Sequence, residues 1–93
     1  MRTVNRTHRF KKDYKRESRG QHRQVLDELL LAVVSLLAAD VALPEAMRDH
    51  ALSGEWKDHR DCHLRPDLVL IYRLGDAETL ELVRLGSHSE LSL

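Results

Sequence analysis

Histidine and aspartate side chains are concentrated in the C-terminal half of this 93-residue chain. Four of its six histidines lie there, close to two aspartates; the residues are His50, His59, His63, His88, Asp61 and Asp67. Histidine titrates near neutral pH and can therefore take up or give a proton during catalysis. A carboxylate beside a histidine fixes its tautomer and raises its basicity. The set therefore suits a reaction that needs both a base and an acid at neutral pH.

Cleavage of RNA without a metal ion is one such reaction. The 2′-hydroxyl of the RNA attacks the adjacent phosphorus, so one group must remove its proton and another must protonate the leaving 5′ oxygen. A cation must also offset the charge of the phosphorane between them. Arg60 or Arg84 could supply this cation, because a guanidinium matches the geometry of a phosphate.

The same residues allow simpler interpretations. His63 and Asp61 could form an ordinary polar pair, and Asp67 after Pro66 suits a turn as well as a catalytic role. Trp56 fits a core anchor, with base stacking as an alternative. A zinc ion is the main chemical alternative, with four possible ligands, His50, His63, His88 and Asp67. The spacing argues against zinc, because it includes no His-x-x-x-His on a helix and no cysteine pair.

Strands are expected to position most of these side chains. The sequence predicts strands over residues 60–64, 68–72 and 80–85, joined by turns at Arg65–Asp67 and Gly75–Asp76. The segment 68–72 is apolar throughout, as in a strand that is buried on both faces. Three consecutive strands with short connections predict an antiparallel meander.

Alternation along the first of these strands divides its side chains between two faces. Asp61 and His63 share one face and are expected to point outward, with Asp61 orienting His63. Cys62 and Leu64 are expected to point inward, and the following turn carries Asp67 back toward the end of the strand. Two further histidines could reach the same open face from outside the strands, His50 and His88.

The N-terminal part of the chain is predicted to be helical. Thr7 is a suitable N-cap for a helix of about 12 residues, and Gly20 is expected to end it. A second helix is predicted from about Gln21 to Ala39, because apolar residues recur there at the spacing of one helix face. Arg2–Arg6 could add a short edge strand. These elements predict an α+β fold in one domain, residues 1–93, with the helices on one face of the sheet.

The zero net charge conceals a strong asymmetry along the chain. Residues 1–24 carry nine basic and two acidic residues, a net charge of +7, and residues 25–93 carry a net charge of −7. A basic arm on an acidic body indicates a polyanionic partner, although a solvated amphipathic helix would show the same pattern.

Cysteine content and hydropathy indicate a cytoplasmic protein without a membrane partner. Cys62 is the single cysteine, so no internal disulfide can form and nothing points to an oxidising compartment. The N-terminus is not followed by the apolar segment of a signal peptide. The longest apolar stretch, Leu29–Ala39, is shorter than the roughly 20 residues that a membrane-spanning helix needs.

Two segments carry a recognisable combination of residues. The segment Arg48–Tyr72 has the pattern D-H-x-L-x-G-x-W-x-x-x-R-D-x-H-x-x-P-D-x-x-L-I-Y, and Arg84–Leu91 has R-x-G-[ST]-H-x-x-L. Both patterns resemble the YafQ branch of the RelE/ParE toxin superfamily. The rest of the chain is similar to that family in length and in the order of its elements.

This resemblance implies a ribosome-dependent endoribonuclease, an mRNA interferase that acts as the toxin of a type II toxin–antitoxin pair. It implies a fold with two N-terminal helices on a small curved antiparallel sheet. It also implies a cognate antitoxin, with which the chain forms a toxin–antitoxin hetero-oligomer, and the ribosome and mRNA as further partners. It implicates five positions in catalysis, His50, His63, Asp67 and His88, with Asp61 in support. Arg60, Arg84 and Trp56 are weaker candidates for contact with RNA or phosphate. We hypothesise cleavage by the 2′-hydroxyl without a metal ion or another cofactor.

One position departs from the family pattern. The family commonly has an aromatic residue directly after the leucine that matches Leu91, and this chain has Ser92 there. A serine cannot stack on a base. This difference motivates a second hypothesis, a catalytically weakened toxin that acts mainly as an antitoxin-binding partner and co-repressor. Inhibition of gyrase, as in the ParE branch, would leave the clustered histidines unexplained.

Overall fold

The computed structural model describes residues 1–93 as three α-helices and one mixed sheet of five strands. The helices are α1 (His8–Glu17), α2 (Leu26–Ala38) and α3 (His88–Leu91). The strands are β1 (Thr3–Arg6), β2 (His50–Ala51), β3 (Arg60–Arg65), β4 (Leu68–Arg73) and β5 (Thr79–Gly86). Short 3-10 turns lie at Glu45–Met47 and Gly54–Trp56. The α+β class and the three central strands are confirmed.

The first helix begins where the sequence predicts. The Thr7 side chain accepts a hydrogen bond from the backbone N–H of Phe10 at 3.1 Å, which satisfies one of the free donors of the first turn. Phe10 is buried in the core. The helix ends at Glu17, and Lys15 and Arg16 in its last turn complement the helix dipole.

The second helix begins at Leu26, so the predicted start at Gln21 is wrong. Residues 21–25 form turns instead of helix. Two acidic residues explain the later start, because Asp27 and Glu28 lie in the first turn of α2, where negative charge is stabilising. Leu26 is also the first residue of this segment that is buried in the core.

The sheet is mixed, and the prediction of an entirely antiparallel sheet is wrong for one strand. The strand order is β1-β5-β4-β3-β2, and β1 runs parallel to β5 at the edge. Beyond the end of β1, α1 lies along the free edge of β5. Thr7 donates its backbone N–H to the carbonyl of Leu82 at 3.0 Å and its hydroxyl to that of Val83 at 2.8 Å. Side chains of the helix thus replace a strand along this edge.

The apolar residues form two clusters, one on each face of the sheet. The larger cluster joins the helices to inward residues of the strands, including Cys62 and Leu64, as alternation predicts. On the opposite face, Val69 and Ile71 pack with Leu91 of α3. β4 is therefore covered on both faces, which confirms the interpretation of its apolar sequence. None of the helices combines the length and apolar character that a membrane span requires.

Candidate active site

The two short strands β2 and β3 bring the first part of the site together. They are antiparallel, and His50 lies opposite Asp61 in their register. Asp61 and His63 share the sheet face that carries Val69 and Ile71, as alternation predicts. The expectation that Asp61 points into solvent is wrong, because this residue is only 3% exposed. Its carboxylate lies beneath His50, with Nδ1 of that ring 3.0 Å from Oδ1.

The ring of His50 is held in one tautomer by its neighbours. Nδ1 lies 2.8 Å from the carbonyl oxygen of Arg48 and 3.0 Å from the Asp61 carboxylate. Both neighbours are acceptors, so the proton must be on Nδ1 and Nε2 is left free. The proton is directed to the Arg48 carbonyl, and Oδ1 of Asp61 consequently has no hydrogen-bond donor. Asp61 therefore faces His50 as a nearby negative charge. No hydrogen bond joins Asp61 to His63, so its role in orienting His63 stays a prediction.

His88 is positioned by Asp67 in a similar way. His88 is the first residue of α3, whose N-cap Ser87 forms a reciprocal capping box with Glu90. Oδ1 of Asp67 accepts a hydrogen bond from the backbone N–H of His88 at 3.2 Å and lies 3.0 Å from its Nδ1. The proton of the neutral ring is thereby placed on Nδ1, and Nε2 is free. The turn after β3 brings Asp67 near the site, as predicted.

His63 lies between these two supported histidines. Its ring meets that of His88 edge to face, with the centroids 5.0 Å apart and the planes at 77°. Burial lowers the pKa of His63 below its ordinary value, and the charges of His88, Arg48 and His50 act in the same direction against Asp61. His63 is therefore neutral at neutral pH, the form that can accept a proton, and its lowered pKa makes it a weaker base than an ordinary histidine.

The two carboxylates of the site have opposite pKa shifts. Burial raises the pKa of Asp61 above its ordinary value, although the neighbouring histidines oppose this effect. The hydrogen bonds from His88 lower the pKa of Asp67. Asp67 is consequently a weak base, and its contacts suit an orienting group better than a general base. Burial raises the pKa of Cys62 to about 12, so this thiol stays protonated in the core.

The histidines border a common concavity. A pocket of about 520 Å³ is lined by Arg48, His50, Leu52, Asp61, His63, His88 and Leu93. An adjoining pocket of about 640 Å³ shares Arg48, His63 and His88 as walls. The structure thus brings four of the five predicted catalytic residues to one pocket, and the fifth, Asp67, contacts one of them.

Arg60 does not reach this pocket. Alternation along β3 places it with Cys62 on the helix-facing side of the sheet, where it pairs with Asp49 at 3.2 Å. Asp49 also accepts a hydrogen bond from the hydroxyl of Tyr72. The network ties the turn before His50 to β3 and β4, so Arg60 supports the site from behind the sheet.

Arg84 is likewise engaged within the fold. Its Nε lies 2.6 Å from the carboxylate of Asp13 on α1, and the side chains of Arg84 and Asp13 are 11% and 5% exposed. Asp13 also accepts hydrogen bonds from the Leu85 backbone and from Arg16. Arg84 therefore joins α1 to β5, and it lines neither of the two pockets.

Phenylalanine, tyrosine and tryptophan side chains do not line the histidine pocket. Trp56 packs against the apolar cluster of Val69, Ile71 and Leu91, and its ring meets that of His59 edge to face at 5.4 Å. These contacts match the core-anchor interpretation. Ser92 ends α3 in the left-handed conformation, with φ 59°.

Sequence reasoning missed Arg48, which borders both pockets. The sequence offers only its nearness to His50, two residues away, because Arg48 has a left-handed backbone to which strand alternation does not apply. Leu93, which also lines the histidine pocket, was missed too. No three of the chain's histidine, cysteine, aspartate and glutamate side chains are arranged to hold a metal ion.

Comparison with known proteins gives consistent matches. The family model for the bacterial toxin YafQ of type II toxin–antitoxin systems matches residues 2–93. The mRNA interferase toxin YafQ of Escherichia coli (strain B / BL21-DE3) is 35% identical over 82 residues, which cover 88% of this chain and 86% of that protein.

Two solved structures extend the comparison to the fold. The metal-bound toxin from Helicobacter pylori has a TM-score of 0.84 and 44% identity, and the match covers 98% of this chain and 99% of that one. YafQ in the DinJ-YafQ complex of E. coli has a TM-score of 0.81 and 34% identity, with 98% of each chain covered. The chain belongs to the YafQ family of bacterial toxins from type II toxin–antitoxin systems.

Proposed function

We propose that this chain is a ribosome-dependent endoribonuclease, an mRNA interferase that inhibits translation. The observation that carries the proposal is the single pocket bordered by His50, His63 and His88. Two of these rings offer a free Nε2, because their Nδ1 atoms face protein acceptors. Similarity to mRNA interferase toxins of E. coli supports the choice of mRNA as substrate.

The reaction proposed is attack by the 2′-hydroxyl of the RNA on its adjacent phosphorus. His63 is the candidate base, because its lowered pKa keeps the ring neutral. His88 is the candidate acid for the leaving 5′ oxygen, since Asp67 compensates its charge when the ring is protonated. His50 is left to contact the phosphate. The products would be a 2′,3′-cyclic phosphate and a 5′-hydroxyl.

This chemistry needs no metal ion, because histidines can supply both the base and the acid. Nδ1 of His50 and Nδ1 of His88 are engaged by protein acceptors, which leaves Nε2 of each ring open to a proton or to a metal ion. A metal ion was nevertheless present in the related H. pylori toxin. Metal independence is therefore tested directly with toxin that has been treated with EDTA. The chelator is removed before the assay, because ribosomes need magnesium.

A reconstituted translation system gives the first test of the proposed function. The treated toxin is added to ribosomes translating a defined mRNA, and the cuts are mapped by primer extension. We expect cuts in the ribosome-bound mRNA that disappear with His63→Ala and with His88→Ala. His59→Ala is the matched control, because the only hydrogen bond of the His59 side chain is with the carbonyl of Lys57 and the residue lies outside the pocket. No cuts from the folded wild-type chain would refute the proposal.

A sulfur substitution at the leaving group tests the acid and base assignments. A thiolate leaves without protonation, so a substrate with a bridging 5′ sulfur should not need a general acid. We expect this substrate to restore cleavage by His88→Ala but not by His63→Ala. Rescue of His63→Ala instead would reverse the two assignments. The rate–pH profile of the wild type should show an acid limb below 6.5, because the pKa of His63 is lowered from that value.

The partner proposed for this toxin is a cognate antitoxin. The related E. coli toxin forms a complex with DinJ, and family membership implies an antitoxin for this chain. The exposed basic side chains of α1, among them Arg9, Lys11 and Lys12, are suited to ribosomal RNA. We therefore expect a toxin–antitoxin hetero-oligomer that keeps the chain from the ribosome.

A second candidate function follows from the lining of the pocket. Neither of the two pockets at the histidines contains a phenylalanine, tyrosine or tryptophan on which a base could stack. This observation favours a weakened toxin that acts mainly as an antitoxin partner and co-repressor. That alternative predicts tight antitoxin binding and operator DNA binding by the complex, with no cuts in the translation assay.

A further inference from the structure

Arg48 differs from the other arginines of the C-terminal half in having a free guanidinium at the histidine pocket. Arg60, Arg73 and Arg84 are all held in ion pairs. The Arg48 side chain makes no hydrogen bond or ion pair, although it borders both pockets of the site. Arg65 is also unpaired, but it borders only the adjoining pocket of about 640 Å³ and not the histidine pocket.

The backbone holds Arg48 in an unusual conformation. It ends the 3-10 turn Glu45–Met47 with φ 49° and ψ 42°, the left-handed region in which a non-glycine residue is strained. Such conformations persist where the surrounding structure fixes them, and they cluster at functional sites.

Contacts on both sides of Arg48 fix this conformation. Its N–H donates to the carbonyl of Glu45 at 2.9 Å, and its own carbonyl lies 2.8 Å from Nδ1 of His50. The next residue, Asp49, is anchored by Tyr72 and Arg60 behind the sheet. One strained turn thus places the free cation and the His50 ring at the same pocket.

We infer that Arg48 binds the scissile phosphate and stabilises the added negative charge of the phosphorane. This inference rests on the proposed function, and it replaces the two arginines that the sequence suggested for this role. A guanidinium presents paired N–H donors to two phosphate oxygens and transfers no proton. Its attraction grows as the phosphorane forms, because the charge on the phosphate oxygens increases.

Single-turnover cleavage of ribosome-bound mRNA tests the effect on the rate. Arg48→Gln should slow cleavage about 100-fold, the loss typical for removal of one donor to a developing oxyanion. Arg48→Lys should retain part of the rate, because it keeps the charge and loses the paired geometry. Arg73→Gln is the control for net charge, since Arg73 lies by the β4–β5 turn.

Arg48→Gly separates the guanidinium from the backbone conformation. Glycine adopts a positive φ without strain, so this variant should fold at least as well as the wild type. If Arg48 acts through its side chain, the glycine variant loses as much rate as Arg48→Gln. If it matters only for the turn, Arg48→Gly cuts at nearly the wild-type rate, and the inference is overturned.

A stereospecific sulfur effect reports contact with the phosphate itself. Replacing one nonbridging oxygen of the scissile phosphate by sulfur should slow the wild type for one diastereomer more than for the other. The difference should shrink in Arg48→Gln, because the donor that distinguishes the oxygens is gone. An unchanged difference would contradict the proposed contact.

Binding to the free toxin keeps the inference separate from the proposed function. The probe is a short RNA with a 2′-deoxy sugar at the cleavage position. Its binding is measured by NMR from the signals of the ring protons of His63 and His88. Arg48→Gln should weaken this binding, and Arg73→Gln should not. A wild-type chain that cuts nothing would refute the proposed function, and this binding comparison would then decide for or against the Arg48 contact.

Discussion

Replacement of Arg84 by glutamine should destabilise the fold. The substitution removes two charged donors from the carboxylate of Asp13, at 2.6 and 3.2 Å, in a pair whose side chains are 11% and 5% exposed. Breaking a buried ion pair costs about 3–5 kcal/mol. Asp13 keeps hydrogen bonds from Arg16 and from the backbone of Leu85, so we expect a loss of about 2–3 kcal/mol.

Thermal unfolding followed by circular dichroism measures this loss. In a domain of this size, 1 kcal/mol corresponds to roughly 4–8 °C in Tm, so the expected decrease is roughly 10–20 °C. Arg73→Gln is the matched control, because its pair with Glu81 is exposed and 3.7 Å long. Loss of such a surface pair should cost less than about 1 kcal/mol.

A double-mutant cycle with Asp13→Asn identifies the source of the effect. If the two side chains act on each other, the double variant loses less stability than the sum of the single variants. If Arg84→Gln unfolds like the wild type but no longer cleaves mRNA, then Arg84 does not stabilise the fold through Asp13. That result would make Arg84 a contact for RNA, as the sequence alone suggested.

Four further substitutions test other parts of the site. Asp61→Asn should raise Tm at neutral pH, because the raised pKa of Asp61 means that its ionised form opposes folding. This gain in Tm should shrink as the pH falls from the folded-state pKa of Asp61 toward the ordinary pKa of an aspartate. A gain in Tm that stays constant over this pH range would contradict a raised pKa for Asp61. Tyr72→Phe should lower the free energy of unfolding in urea by about 1 kcal/mol, because it removes the hydrogen bond to Asp49. It should also slow cleavage, because the turn before His50 becomes looser. Full activity would show that this hydrogen bond does not position His50. Leu93→Phe should speed single-turnover cleavage, because Leu93 lines the histidine pocket and a phenylalanine there can stack on a base. Ser92→Phe should not speed it, because Ser92 lines neither pocket; equal gains in cleavage rate would contradict this geometry.

Local patterns explain what the sequence could predict. Thr7 caps its helix through a hydrogen bond with a residue only three positions away. The uninterrupted apolar sequence of β4 is by itself enough to predict that this strand is buried on both faces. Alternation along β3 correctly separates Asp61 and His63 from Cys62 and Leu64. The same alternation also places Arg60 on the helix-facing side, away from the histidine pocket.

Contacts between distant parts of the chain explain what the sequence could not predict. Asp13 and Arg84 are 71 residues apart, so their ion pair has no local signal. The strand β2 has only two residues, which is too short for any periodicity, yet it places His50 beside Asp61. The parallel pairing of β1 with β5 likewise joins distant residues, since Thr3 lies opposite Thr79.

Cleavage at a single modified nucleotide tests the central claim most directly. The mRNA carries either ribose or 2′-deoxyribose at one mapped cut site, and both forms are incubated with ribosomes and toxin freed of metal. The account predicts that the ribose form is cut to a 2′,3′-cyclic phosphate and a 5′-hydroxyl, and that the deoxy form stays intact. Cleavage of the deoxy form, or products with a 5′-phosphate, would contradict attack by the 2′-hydroxyl at this site.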